Sequence, residues 1–378
     1  MKKIIFKKIT LDCFNFFLLT IISISVIIWV LQAVNYLDFV VEDGHGFIVY
    51  FKYTLLSFPK ILTKLFLFAV FFSTAYILLK YENKNELIVF WTHGINKINF
   101  INVFIKLSIL FIILHLLLTT LIVPTAQDKA RSYIRSSDLD FFEGVLKPKK
   151  FIDIVNDLTI YYERKDEFGQ LKNIYLKSKT GEGDFQITLA KTGKFDQSFD
   201  RKVLVLYNGK TLKNQNNKIS EFKFSKSDYD ISRFSSNTTS VPKIQENSTK
   251  QLFSCILILE KIKNIEKNYS RSFEFENCRL NNFINIYQVL YSRLIFPLYN
   301  SVLVLLSLLL IMKSKNDQKF RYYKLQVFTL GFLFIIFLET SVKFINSSLL
   351  NNILFAFMPL VFFLIMYFFF RNKLIYGK

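Results

Sequence analysis

Apolar and polar positions fall in blocks along this chain. Residues 13–34, 61–79 and 103–123 form three apolar runs, a long polar stretch follows, and residues 292–312, 325–341 and 353–370 form three more. A helix needs roughly 20 apolar residues to cross about 30 Å of hydrocarbon, so each run predicts a transmembrane helix. Inside the polar stretch the period changes. Leu158, Ile160 and Tyr162 alternate with Thr159, Tyr161 and Glu163, the pattern of a half-buried strand. Residues 171–177, 185–190, 203–207 and 219–224 repeat it, and Gly169, Gly181 with Gly183, Gly193 and Asn208-Gly209 are expected to turn the chain between strands. Short strands at this spacing, with no helical period between them, predict an antiparallel sandwich or jellyroll. Residues 235–250, rich in Ser, Thr and Asn, predict a flexible loop. The expected fold class is an α-helical membrane protein with six transmembrane helices and an all-β, jellyroll-like domain inserted between helices three and four. Its parts are residues 1–123, 124–282 and 283–378.

Charge placement orients these parts. Lys2, Lys3, Lys7 and Lys8 precede the first run, and Lys80, Lys84 and Lys97 separate the second and third. Lys313, Lys315, Lys319, Arg321 and Lys324 join the fourth and fifth, and Arg371, Lys373 and Lys378 follow the sixth. The opposite connections are poorer in cations: Asp38, Glu42 and Asp43 face Lys52 in one, and Lys343 stands in the other. The positive-inside rule then puts both termini in the cytoplasm and the insert across the membrane. The net charge of +20 invites a nucleic-acid reading. Lys, Asn, Ile and Phe are inflated together, however, so composition bias explains the total and no nucleic-acid partner is expected.

The first run is too long for a signal-peptide core and reads as an uncleaved anchor. Its leader, residues 2–11, mixes lysines with Ile4, Ile5, Phe6 and Ile9, which suits a short helix in the headgroup region. Cys13 sits in the first run, and Cys255 and Cys278 fall in the insert. Their spacing defines no framework, and a reduced, buried pair is the expectation.

Catalytic and metal chemistry is not expected. Gly209-Lys210-Thr211 lacks the first glycine of a phosphate-binding loop, since Leu204 stands there. His45, His93 and His115 have no Cys or His neighbour at metal-ligand spacing, and no GxSxG occurs. No catalytic residue, metal or cofactor is expected on this chain.

Two groups of residues need an explanation. Lys60 and Lys64 sit four apart after Pro59 at the start of the second span, and Lys129, Arg131 and Arg135 follow Pro124 at the outer end of the third. They read either as snorkelling side chains or as a cationic wall meeting an anionic headgroup. Arg293, before Pro297, is another outer-side cation, and Glu339 with Lys343 is expected to form an intrahelical ion pair. The second group is residues 85–95, which begin at Asn85-Glu86-Leu87, continue through Phe90 and Trp91, and end at Gly94. A short helix with an Asn cap and a C′ glycine is expected there. Its Leu87, Phe90 and Trp91 suit either a partner's groove or the lipid surface.

The order of these features resembles the LptF/LptG family over essentially the whole chain. The resemblance rests on the 3+insert+3 layout, Glu86-Leu87…Gly94-Ile95, Val123-Pro124, Leu158-Thr159-Ile160-Tyr161 and Asn208-Gly209. Ile28-Trp29, Gln32, residues 37–41 and Arg293…Pro297-Leu298-Tyr299 look more like LptF than LptG. The resemblance implies a non-catalytic half-permease that pairs with an LptG-type chain, an LptB-type ATPase dimer that binds the ATP, and an LptC-type bitopic protein. It would extract lipopolysaccharide from the bacterial inner membrane and pass it to a periplasmic bridge. Glu86, Leu87, Phe90, Trp91 and Gly94 would form the ATPase-coupling helix, and Lys60, Lys64, Arg131 and Arg135 would face lipid A phosphates. The family's basic residue five positions after the glutamate is here Trp91, and a cation on the first span is missing. The competing expectation is a membrane-anchored periplasmic lipid-binding or envelope-assembly protein that transports nothing.

Overall fold

A computed structural model describes residues 2–37, 47–136, 147–155, 158–166, 169–179, 184–198, 201–215, 218–230, 243–264, 277–346 and 348–375. Asp38, Glu42, Asp43, His45, Gly181, Gly183, residues 235–242 and Lys378 lie outside them, as do the side chains of Arg135 and of residues 261–264. Among the described residues, six helices are long and apolar enough to cross a membrane. An antiparallel sheet is inserted in sequence between the third and fourth. The chain divides into two units. One holds Met1–Gln32, Leu56–Lys129 and Pro242–Lys378, and the other Ala33–Leu55 and Ala130–Val241.

The helical unit is built from α1 (Lys2–Asn35), α2 (Phe47–Asn83), α3 (Glu86–Thr92), α4 (Lys97–Leu117) and α5 (Val123–Ser136), of which α1, α2 and α5 run on into the second unit. A π-helical segment, Leu118–Ile122, joins α4 to α5. The leader is no separate interfacial helix. No Pro, Gly or cap interrupts residues 2–11, so they form the first turns of α1, and Ile9 is fully enclosed. Spans two and four are the interior of the unit, with 61% and 72% of their most apolar windows buried, against 22%, 22% and 11% for spans one, five and six. Those three outer spans carry apolar faces such as Ile22, Ile27, Leu333 and Leu354, as helices facing hydrocarbon or another membrane chain must.

The connection back to span four differs from the sequence expectation. Thr249–Asn264 forms a helix, α6, packed on α7 (Phe283–Leu294) through Leu252, Ile256, Leu259, Ile286 and Leu290. Residues 249–264 therefore belong with the helical unit, and the expected 124–282 domain is not β throughout. Cys255 and Cys278 are joined in a disulfide with Cα atoms 5.9 Å apart, which corrects the expected reduced pair. The spacing in sequence said nothing because α6 itself carries Cys255 back towards Cys278. Span four continues through a 3₁₀ turn at Phe296–Leu298, α8 (Tyr299–Leu308) and a second 3₁₀ turn at Leu309–Met312. Spans five and six are α9 (Phe320–Ser341) and α10 (Leu349–Ile375).

The second unit contains a seven-stranded antiparallel sheet: β1 (Ile152–Val155), β2 (Leu158–Tyr161), β3 (Arg164–Lys165), β4 (Leu171–Lys179), β5 (Phe185–Ser198), β6 (Arg201–Gln215) and β7 (Lys218–Asp230). Strands follow one another in the order β1-β2-β4-β5-β6-β7, and β3 pairs with β4. The expected alternation buries Leu158, Ile160 and Tyr162, against Leu171, Ile174, Leu176, Leu204 and Leu206. Gly169 makes the expected turn at φ +77°. Gly193 and Asn208-Gly209 do not turn the chain; they lie inside β5 and β6.

The register explains why. Ile174 pairs with Ala190 and Ala190 with Gly209, so Asn173, Lys191 and Asn208 stand side by side across three strands. Asn173 and Asn208 both adopt positive φ, 53° and 50°, conformations that Asn tolerates. The buried positions of β4 then shift from Leu171 to Ile174 and Leu176. The asparagines kink long strands along one line and do not end them. Gly209 is needed there because a Cβ would press on Phe224 and on the Leu189 carbonyl. Within the same unit the ends of α1, α2 and α5 pack together. Tyr50 Oη donates to the Ala33 carbonyl at 2.9 Å, and Lys52 Nζ stands 4.6 Å from the centre of the Tyr133 ring.

Candidate functional site

The chemistry of this chain is gathered at three places: α3, the two cationic pairs, and the join of spans three and four. Helix α3 opens after Asn85, whose φ of +60° is left-handed and whose side chain makes no cap. The expected Asn cap is therefore replaced by a sharp reversal out of α2. The C-terminus closes as expected at Gly94, with φ +68°. The Gly94 N–H donates to Trp91 O at 3.0 Å and the Ile95 N–H to Phe90 O at 3.1 Å, the paired bonds of a Schellman ending.

Its faces are not those the sequence suggested. Leu87 and Phe90 are 2% and 1% exposed. Phe90 meets Phe6, Trp91 and Phe100, the last edge-on at 5.2 Å between ring centres. Trp91 is half-buried against Phe100 and lies under Lys97 Nζ, 5.6 Å from its ring. These three side chains thus pack α3 against its own chain. The face left open is Ile88, Val89, Thr92 and His93, with Glu86 half-buried beside it. A helical wheel could have shown that Ile88 and Val89 oppose Phe90. The amphipathic rule alone ranked the larger apolar side chains first.

Lys60 and Lys64 lie one turn apart on α2, the first half-buried and the second exposed. Thr63, between them, donates from Oγ1 to the Lys60 carbonyl at 2.9 Å. Pro59 has no N–H and so releases a carbonyl one turn earlier. Arg131, half-buried, and Arg135 lie one turn apart on α5. Lys60 and Lys64 belong to the helical unit and Arg131 and Arg135 to the second unit, so the expected rim consists of two helical pairs.

Arg293 is not a surface cation. It is 6% exposed, donating from Nη1 to Asn247 O at 2.9 Å and Thr249 Oγ1 at 3.1 Å, and from Nη2 to Gln245 O at 2.8 Å. A buried guanidinium is tolerable only when its donors are matched in this way. Thr119, in the π-helical segment, donates to the Arg293 carbonyl at 2.8 Å, and Thr249 donates to Thr120 O at 3.1 Å. One turn below, Asn300 Nδ2 stands 3.1 Å from His115 Nδ1, and the His115 ring stacks on Phe66 at 4.3 Å. The amide can only donate to Nδ1, so the imidazole carries its proton on Nε2. The π-helical segment of span three is thus joined by side-chain bonds to α7 and to the first residue of α6, and Arg293 of α7 to residues 245–249. Glu339 and Lys343 do not form the expected ion pair among the described residues, because α9 stops at Ser341 and Lys343 lies in a 3₁₀ turn.

No cluster of His, Cys, Asp and Glu that could hold a metal occurs among the described residues. Six apolar spans with an antiparallel unit inserted between the third and fourth in sequence define a multi-pass membrane protein. The chain belongs to the lipopolysaccharide export system permease LptF/LptG family, whose model matches residues 9–373. No curated protein matches it. It is accordingly a multi-pass inner-membrane protein and a non-catalytic component of the lipopolysaccharide export system.

Proposed function

We propose that this chain is an LptF-like half-permease of an ATP-driven exporter, paired with an LptG-type chain above an LptB-type ATPase dimer and working with an LptC-type bitopic protein. It takes lipopolysaccharide from the inner membrane and passes it to a periplasmic bridge, while ATP is bound by the ATPase and this chain carries no cofactor. Both termini are cytoplasmic and the β-unit is periplasmic. Lysine placement supports this orientation, and so does the Cys255–Cys278 disulfide in the connection between spans three and four, because disulfides persist in oxidising compartments such as the periplasm.

The observation that carries the reading is α3. Leu87, Phe90 and Trp91 secure it from behind, Gly94 ends it, and Ile88, Val89, Thr92 and His93 face outward with Glu86 at the rim. A short, firmly anchored helix with a small apolar face is suited to seating in a partner's groove. Glu86 is positioned to accept a charge-assisted bond from a basic ATPase residue, worth about 1.5–3 kcal/mol when desolvated. Lys60, Lys64, Arg131 and Arg135 are the proposed contacts for lipid A phosphates. Co-purification of the tagged chain with an ATPase, compared with Glu86→Ala, tests the reading. The parent is expected to bring down the ATPase and the variant to lose it or to uncouple hydrolysis from export. Unchanged assembly and export in the variant would remove Glu86 from the mechanism.

A further inference from the structure

Helix α3 has seven residues, too few to persist unaided in water, so its position depends on what grips it. Besides the apolar anchors, polar groups tie both of its flanks to one other place. Ahead of the helix, Glu82 Oε1 accepts the Lys315 backbone N–H at 2.8 Å, and Asn83 O accepts Lys315 Nζ at 3.2 Å. Behind it, Lys97 Nζ donates to Ile311 O at 3.5 Å while standing over the Trp91 ring. Both ties end on the short stretch from Ile311 to Lys315, where span four finishes in its second 3₁₀ turn and the chain becomes extended at Lys313.

Span four is also the most enclosed of the six, and α8 is bounded by a 3₁₀ segment at each end. Its far end is held by Asn300 to His115 and, just beyond the first 3₁₀ turn, by Arg293 to residues 245–249. Helix α8 is therefore a stiff, close-packed rod with polar grips at both ends. Interiors packed to this density shift as bodies and do not deform smoothly.

We propose that Glu82 and Lys97 are positioning residues that couple α3 to span four, so that displacement of the docking helix is delivered to α8 and not absorbed in the flanking loops. This inference rests on the reading of α3 as the ATPase-facing element. Glu82 works through an acceptor oxygen on a backbone N–H, so its charge is dispensable and its oxygen is not. Lys97 works through a donor at the Ile311 carbonyl.

The test uses the whole complex, full-length chain with paired permease and ATPase, in liposomes containing lipopolysaccharide. Lipid released per ATP hydrolysed is the readout. In Glu82→Ala this ratio is expected to fall by up to about tenfold, the upper end of what one lost hydrogen bond is worth, with assembly and basal hydrolysis kept. Glu82→Gln, which retains the acceptor, is expected to restore it. Lys97→Met keeps the stem over Trp91 and removes the donor, and should lower the ratio independently. The proposal is overturned if Glu82→Ala and Lys97→Met both match the parent, or if Gln is as impaired as Ala. A parent chain that assembles with no ATPase would overturn the reading of α3 and the proposal together.

Discussion

Gly331 of α9 lies against the ring of Phe71 of α2, and a Cβ at position 331 would overlap that ring. Phe328 and Phe332, the flanking aromatics of α9, meet Phe71 edge-on at 5.9 and 6.4 Å. Span five thus seats on span two by straddling one fully buried phenylalanine. Small residues allow such close approach between membrane helices. Gly331→Ala is expected to cost about 1–3 kcal/mol as overpacking, seen as a lower melting temperature of the detergent-solubilised chain. Adding Phe71→Leu should recover part of the loss. A Gly331→Ala chain as stable as the parent would show that this contact yields easily.

Arg293 should prove structural. Lysine at 293 cannot reach Gln245 O, Asn247 O and Thr249 Oγ1 together, because its donors lie on a single atom. Arg293→Lys is therefore expected to destabilise the chain despite keeping the charge. Arg293→Met, which leaves the buried Asn247 carbonyl without its donor, should cost more, about 1–3 kcal/mol. Limited proteolysis would read this as faster cleavage between residues 243 and 249. A variant that resists protease like the parent would show that these bonds do not hold residues 245–249 in place.

The disulfide makes an assertion about compartment as well as stability. Closing 23 residues between Cys255 and Cys278 is worth about 3 kcal/mol in the chain-entropy account. Cys255→Ser should lower the melting temperature, and the parent's mobility on gels should change on reduction. In intact cells an impermeant thiol reagent is expected to reach a cysteine at Lys210 but not one at Lys315. Labelling with the opposite pattern would invert the proposed orientation.

Substrate contact at Lys60, Lys64, Arg131 and Arg135 separates a working cation from a snorkelling one. Pairing with phosphate is stronger at a partly dehydrated site than in open water, and arginine grips phosphate in a bidentate manner. Photo-crosslinking to lipopolysaccharide should weaken in the quadruple Ala variant. It should weaken measurably in Arg131→Lys as well, although the charge is retained. Undiminished crosslinking by the quadruple variant would establish snorkelling as the role of these residues.

The spans and the β-unit were legible because their periods are written in single residues. A run of apolar positions is a helix in lipid wherever it occurs, and Leu158, Ile160 and Tyr162 point one way whatever lies opposite. Gly94 was legible for the same reason, since a short helix needs a left-handed residue at its end. Gly193 and Asn208-Gly209 were not, because a kink and a turn use the same residues. Only the register of β4, β5 and β6, which carries the ladder past these positions, distinguishes them.

The chain's own order of apolar and polar segments thus determined that six helices flank an inserted sheet in sequence, and that α3 follows span two and precedes span three. Which side of α3 faces out, where Arg293 spends its charge, and that Cys255 meets Cys278 were decided by the fold. Each depends on a partner far away in sequence: Phe6 and Phe100 for Phe90, Gln245 and Asn247 for Arg293, and α7 for the helix that bears Cys255. Local pattern records what a residue prefers. Tertiary packing records what it meets, and a buried cation or an anchored aromatic takes its role from the group it meets.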